Sequence, residues 1–486
     1  MTKNVIAIDL GASSGRVVLG QFKDNQITTK IIHRFTTHTI KNNEGLFWDI
    51  AKIFDDIMVG LNTVKKHTSN KIESIGIDAW GVDYVLLDQK DNLLSYPYHY
   101  RDDRTKGTIA ELNNIIGNAS IYKKTGIQSM EINTLNQLLV HNKEQIYHAK
   151  TILFVANYIA YLLSGNKSID YSIMSTTSLL NVNNLTLDED IVKTINLKPS
   201  LFSYFKQEDV IGNLKLEHIN TLGPQFKDTQ ILQIMSHDTA CAVLGTPLVS
   251  PKSAYISSGT WSLLGVLLQK PIVNKEAYEA NFTNELGYDN IVRFMKNING
   301  LFVLQEFFKE QTIVSNGETF KQLNQQAIDY EKIRFIDIDH SDFQKVKNMK
   351  FKIDQYLSRT HQEKISQLHE YYLTIIFSLA CNYKKYIDEL ENLLGYELDQ
   401  IHIVGGGSQN ELLCQLTANI TRKNVISGPS EATVIGNIIN QLLITKTIQD
   451  ESSIKQIIGN SEHLKTYIRN ENIDDIYQKY LETIGR

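Results

Sequence analysis

The chain has 486 residues, 42% of them hydrophobic and 21% charged. That is enough for two full domains, since single cores stop growing at roughly 250–300 residues. Its 49 basic and 54 acidic residues leave a net charge of −5, which gives no electrostatic reason to expect nucleic acid or an anionic membrane as partner. Three cysteines without C-x-x-C spacing point to no disulfide framework or zinc site and fit reduced thiols in the cytoplasm.

"NVIAIDL", "RVVLGQF" and "QITTKIIHRF" predict three consecutive strands, the first starting at Val5, which leaves no room for a signal peptide. Ile50, Ile53, Ile57 and Leu61 recur at helical spacing and predict a helix over 48–65. "IESIGIDAWGVDYVLLD" reads as a strand, a bend at Trp80-Gly81 and a second strand. Such a meander feeding a helix and another strand implies an α/β fold with a mixed sheet. The second half starts the same way: "AYISSGTWSLLGVLL" lays over "AIDLGASSGRVVLGQF", and the strand "DNIVRFMKNI" precedes the helix "GLFVLQEFFKE". The repeat predicts two similar domains, 1–246 and 247–486, with Pro247 and Pro251 at the boundary. Leu368, Tyr372, Ile375, Leu379, Tyr383 and Tyr386 mark one face of a long helix. The longest apolar run, Tyr371 to Cys381, is too short to span a bilayer. "QIHIVGGGSQNELLCQL" reads as strand, glycine turn and helix, and the tail from Asp450 as polar helical segments.

Four glycine- or serine-rich turns follow apolar strands, around Gly11, Gly81, Gly259 and Gly405-Gly406-Gly407. Exposed backbone N–H groups in such turns make anion-binding concavities. The triple-glycine turn is expected to open a helix, whose dipole would aim positive at the same spot. Two such loops facing each other across a cleft would grip a polyphosphate. Asp9, just before the first loop, either holds magnesium through water or satisfies turn N–H groups. Asp238, at the start of a helix in "SHDTACAV", is either an N-cap or a carboxylate kept ionised by the helix dipole, able to take the proton of an attacking hydroxyl. "YHYRDDRT" and "DAWGVDY" mix rings, Arg and Asp, a composition suited to hydroxyl-rich small molecules or to an internal salt bridge.

Taken together, "DLGASSGRV", "SIGIDAWGVDYVLLD", "YRDDRT", "SHDTACAV", "YISSGTWSLLG", "IVGGGSQNELLCQL" and "GPSEATVIGN" resemble the FGGY carbohydrate kinases of the actin/hexokinase/Hsp70 ATPase superfamily. The resemblance covers about nine-tenths of the chain, with 312–360 and the tail matching poorly. It implies two RNase H-like domains with mixed sheets and ATP in the interdomain cleft. It also implies ATP-dependent phosphorylation of L-rhamnulose at its 1-hydroxyl, with Mg2+, in a cytoplasmic monomer or weak homo-oligomer. Alternatives are another ketose, such as L-fuculose or xylulose, and, more remotely, a non-catalytic ATP-dependent switch. Carried over by motif, Ala12, Ser13, Ser14, Gly15 and Arg16 would form the first phosphate loop, and Asp9 would approach the metal. Thr260, Gln305 and Gly406 would line the nucleotide site. Gly81, His237, Asp238, Thr239 and Asn297 would contact the ketose, with Asp238 as general base. Ala79 and Tyr84 depart from the Thr and Phe common in relatives, which bears on sugar preference.

Overall fold

In the computed structural model of the chain, residues 2–207, 209–345, 347–449 and 452–485 are described. The first sheet contains β1 (Lys3–Leu10), β2 (Ser14–Lys23), β3 (Gln26–Thr36), β4 (Ser74–Ala79), β5 (Asp209–Asn213) and β6 (Gln230–Gln233), ordered β5-β6-β4-β1-β2-β3. The second contains β7 (Ser253–Ser258), β8 (Trp261–Leu268), β9 (Thr283–Leu286), β10 (Val292–Asn299), β11 (Gln400–Val404), β12 (Asn424–Ser427) and β13 (Lys465–Tyr467), ordered β9-β10-β8-β7-β11-β12-β13. The helices used below are α1 (Ile50–Thr63), α2 (Asp238–Leu244), α3 (Phe302–Glu310), α4 (Leu368–Leu394), α5 (Glu411–Thr421), α6 (Ala432–Ile444) and α7 (Ser452–Ser461). None of the helices among the described residues is long and apolar enough to cross a membrane.

The internal repeat is visible in the hydrogen bonding. β1 pairs antiparallel with β2 and parallel with β4, and β7 pairs antiparallel with β8 and parallel with β11. By contact, one compact unit holds Met1–Gly245, Leu267–Phe294 and Thr433–Ser461; the other holds Thr246–Val266, Met295–Ala432 and Glu462–Arg486. α4 buries Tyr372, Ile375, Leu379, Tyr383 and Tyr386 as expected and is buried on its other sides too over most of Tyr371 to Ile387, while Leu368 is exposed. One expectation from the sequence is revised. The tail is not purely helical, because β13 adds an antiparallel strand to β12.

The two-residue period of β1 assigns its faces. On one, α1 buries Ile50, Ile53, Ile57 and Leu61, and Gly60 approaches Val17 so closely that a Cβ would lie 2.5 Å from it. On the other, Val5, Ala7, Val18, Phe22 and Ile27 pack against Val434, Ile435, Ile438, Ile439 and Leu442 of α6 and Ile454, Ile457 and Ile458 of α7. Each Val, Leu, Ile or Phe side chain among them contributes about 1.5–3 kcal/mol when fully buried.

α6 also carries a buried polar stripe that hydrogen-bonds the sheet. Gln441 donates to the Ile6 carbonyl (3.0 Å) and accepts from Ser74 Oγ (2.7 Å), while Asn440 accepts from the Met235 N–H (2.7 Å). At Gly436 the helix meets α2 backbone to backbone: a Cβ there would sit 1.8 Å from the Cys241 carbonyl oxygen. No rotamer relieves a clash with a backbone atom, so α2 would have to move. Gly436→Ala is therefore expected to cost about 1–3 kcal/mol, the usual price of overpacking, in urea unfolding. A wild-type midpoint in that variant would contradict this packing.

Candidate active site

The β1–β2 connection is a tight turn between antiparallel strands, not a helix-opening loop. Gly11 N–H donates to the Ser14 carbonyl (2.9 Å), and Thr37, just past β3, braces the turn through its hydroxyl on Gly11 O (2.9 Å) and its N–H on Ser13 O (3.2 Å). Ala12 and Ser14 are half-buried, Ser13 is exposed, and Gly15 is buried against the Phe35 ring. Behind the turn, strand register sets Arg16 opposite Asp9 and Asp9 opposite Asp78. These three side chains form a row on the face that carries Val5 and Ala7, at the point where the apolar stripe ends. Arg16 grips Asp9 through Nε (2.7 Å) and Nη2 (2.5 Å).

Asp78 was not singled out as a site residue by its sequence. It is fully buried; Oδ2 accepts from Asn437 Nδ2 of α6 at 2.6 Å, and Oδ1 has no partner among the described residues. Burial pushes its carboxyl well above the usual range, and the Asp9 charge adds to the push. The sequence of β4 could have flagged it, because an acid on an otherwise uncharged buried strand costs free energy unless it is used or paired.

β4 and β6 run parallel, and a bridge beyond β6 sets Ala79 beside His237, with the Ala79 N–H on the Ser236 carbonyl (2.8 Å). This brings Asp238 to the same strand ends as Asp78. The N-cap of α2 is His237, so Asp238 is the first helical residue. Its side chain is 29% exposed, with Oδ1 3.4 Å from His237 Nε2 and accepting from Thr239 Oγ1 at 3.1 Å. Burial raises the Asp238 carboxyl, His237 pulls it down and Asp9 pushes it up, for a net upward shift. A raised carboxyl is a stronger base than an ordinary aspartate once ionised.

The second strand-end loop is strained. Asp83 N–H reaches back to Gly81 O (2.9 Å), and between them Val82 takes a φ of +68°, a region costly for a β-branched residue. Thr134 Oγ1 holds the Val82 carbonyl (2.8 Å), and Gly81 lies against Thr176. Asp83 is fully buried and gathers four donors: Trp48 Nε1, Trp80 Nε1 and the Tyr100 N–H on Oδ2, and Gln137 Nε2 on Oδ1. The "YHYRDDRT" cluster is largely internal. Arg104 donates to the Gln137 carbonyl and Oε1 (2.9 Å each) and covers the Tyr98 ring, while Asp102 accepts from the Leu46 N–H (2.7 Å). The Tyr84 hydroxyl is buried on His141 Nδ1 (2.9 Å), and Ala79 is fully buried.

The remaining candidates lie in the second unit. Thr260 follows Gly259 in the β7–β8 turn and donates to Gln305 Oε1 of α3 at 3.0 Å. Gly300 sits so close that a Cβ would be 2.6 Å from the Gly259 carbonyl. Gly406 is exposed in the turn after β11, where Gly405 has a φ of +76° and a Cβ on Gly407 would strike Ser258 Oγ. That turn does not open the helix directly. A short 3-10 turn, Gly406–Gln409, intervenes and Asn410 caps α5, so the glycines lie one turn ahead of the dipole's end. Asn297 lies half-buried on β10.

Neighbouring carboxylates at Asp9 and Asp78, the latter with an oxygen unpartnered among the described residues, are hard oxygen donors that fit a magnesium ion, which needs only one or two protein carboxylates beside phosphate and water. Residues 4–245 match the family model described as the FGGY family of carbohydrate kinases, N-terminal domain, and 254–443 match the C-terminal domain of the same family. The chain belongs to the FGGY carbohydrate kinases. As an FGGY kinase it is a phosphotransferase that takes a sugar and ATP. It is 36% identical over 482 residues to "Rhamnulokinase" of Bacillus subtilis, covering 98% of each chain. It is likewise 36% identical over 475 residues to "Rhamnulokinase" of Bacteroides thetaiotaomicron, covering 96% of each. The fold is shared with a gluconate kinase from Lactobacillus acidophilus (TM-score 0.79, 18% identity, 100% of this chain and 96% of the other). A Plasmodium falciparum glycerol kinase with ADP also shares it (TM-score 0.78, 16% identity, 100% and 97%).

The Asp83 hub generates a pH prediction. Burial raises its carboxyl from 3.8 to about 6, despite the bonds from Gln137, Trp48 and Trp80 that lower it. A carboxyl raised on folding stabilises the fold when protonated, and that contribution is lost as pH rises through the folded value. Relative to Asp83→Asn, the FGGY kinase should lose about 1 kcal/mol of unfolding free energy between about pH 5 and about pH 7, measured by urea titration. Parallel pH profiles would contradict the shift.

Proposed function

We propose that this kinase phosphorylates L-rhamnulose at its 1-hydroxyl with ATP. The reading rests on its full-length likeness, 36% over 98% of both chains, to a protein named rhamnulokinase. The strand-end carboxylate Asp238, partly exposed and raised by burial, supports it.

In this reading Gly81, His237 and Thr239 contact the sugar, and Asn297 is the second unit's proposed sugar contact. Asp238 takes the proton as the O1–H bond breaks, and the freed oxygen pair forms the bond to the γ-phosphorus. The bond from that phosphorus to the β,γ-bridging oxygen breaks and ADP leaves with its electrons. Such transfer needs positioning and charge stabilisation more than covalent help. The backbone N–H groups of Ala12 to Gly15 would cradle phosphate oxygens; for the second unit, Thr260, Gln305 and Gly406 are the proposed nucleotide contacts. Asp9, with Asp78 beside it, would hold Mg2+, which when bound offsets the charge of the phosphates. Arg16 keeps Asp9 in place through its paired contacts.

Asp238→Asn keeps the shape and removes the base. It is expected to bind ATP and ketose by calorimetry while turnover falls about 10²–10⁴-fold. Near-normal turnover would rule out Asp238 as the base. A coupled ADP-release assay across L-rhamnulose, L-fuculose and xylulose tests the substrate; a higher kcat/KM on either of the latter would replace it.

A further inference from the structure

Behind His237 lies a buried charge pair that the mechanism above does not use. Arg293, on β10, is 0% exposed, and Glu285, on β9, is buried beside it. Arg293 Nη2 donates to Glu285 Oε2 (3.1 Å) and to His237 Nδ1 (3.1 Å), and its Nε donates to the Leu286 carbonyl (3.2 Å). Glu285 Oε2 is 3.3 Å from the same ring nitrogen. On the other side of the ring, Nε2 is 3.4 Å from Asp238 Oδ1. The His237 backbone N–H is held by Ser172 Oγ at 3.1 Å.

A neutral imidazole has one donor and one acceptor nitrogen, and the bond made at one decides the proton at the other. An arginine N–H aimed at Nδ1 makes that nitrogen the acceptor. The single ring proton then belongs on Nε2, facing Asp238, which as an ionised base can only accept. The opposite tautomer would turn two N–H groups, Arg293 Nη2 and Nδ1, on each other, while Glu285 Oε2 takes its proton from Arg293 rather than from the ring. A buried ion pair rarely improves on apolar packing for stability alone, so its position against the ring calls for another role.

We propose that Arg293, with Glu285 as its counterion, is a positioning pair that fixes the His237 tautomer with the proton on Nε2. The ring then orients the Asp238 carboxylate and the sugar hydroxyl beside it. The inference rests on the kinase reading and deepens it. It concerns positioning residues, since neither Arg293 nor Glu285 is placed in contact with substrate.

The test is a mutant cycle against His237. Removing both charges in Arg293→Met/Glu285→Gln should lower kcat at least about 10-fold with KM for ATP unchanged. In a His237→Gln background the same pair of changes should cost less than about 2-fold, because the ring through which they act is gone. Equal losses in both backgrounds, or no loss in either, would overturn the proposal. Should the double variant fail to fold, Arg293→Lys keeps the charge pair but loses the fork that reaches both Nδ1 and Leu286 O, and the same non-additivity is expected. The 15N shifts of the His237 ring need no substrate, and so separate this proposal from the kinase reading. They should show Nε2 protonated in the wild type and a mixture in the double variant. A wild-type ring protonated on Nδ1 would overturn the tautomer assignment, whereas wild-type protein inactive on every ketose would overturn the kinase reading.

Discussion

The candidate site hangs on the contact between α6 and α2. Because residue 436 is glycine, the two helices touch through their backbones, with no room for a Cβ against the Cys241 carbonyl. That approach sets the first residue of α2, Asp238, at the strand ends. It also carries Asn437 onto Asp78 and Gln441 onto the carbonyl of Ile6. One missing methyl group therefore lets a helix hold the candidate base and a buried carboxylate of the sheet at once. The apolar residues of α6 supply the adhesion and its buried amides supply the register, since each must find its own partner or cost free energy.

Electrostatics then works within this frame. Three carboxylates, Asp9, Asp78 and Asp238, act on one another, while the cation gripping Asp9 is Arg16. Burial and mutual repulsion raise Asp78 and Asp238. For a phosphoryl-transfer site this is useful chemistry, since the base has to be basic enough to take a hydroxyl proton and the negative cluster has a natural use for a hard cation. His237 mediates between this cluster and a charge pair from a different part of the chain.

Much of the fold was legible because the residues that form it are neighbours in sequence. Alternation in "NVIAIDL" and "RVVLGQF", and the helical recurrence of Ile50, Ile53, Ile57 and Leu61, correspond to β1, β2 and α1. The echo between "GASSGR" and "SSGTWS" corresponds to equivalent turns between equivalent strands. Less legible were the elements whose environment is tertiary. The six residues that mark one face of α4 did not show that it is wrapped on most sides, and β13 was hidden in polar composition until β12 offered it an edge. The triple-glycine turn also misled, since Asn410 rather than the glycines caps the helix.

By itself the sequence determined the α/β class, the internal repeat, the four strand-end turns and the motif in which Asp238 sits, all of which depend on short-range periodicity and turn chemistry. Only the tertiary structure decided that Asp78 stands beside Asp9, that Asp83 gathers two tryptophans, and that Arg293 and Glu285 reach His237. Those facts depend on strand register and on backbone approach between segments far apart in the chain. No local pattern encodes which buried polar group will meet which.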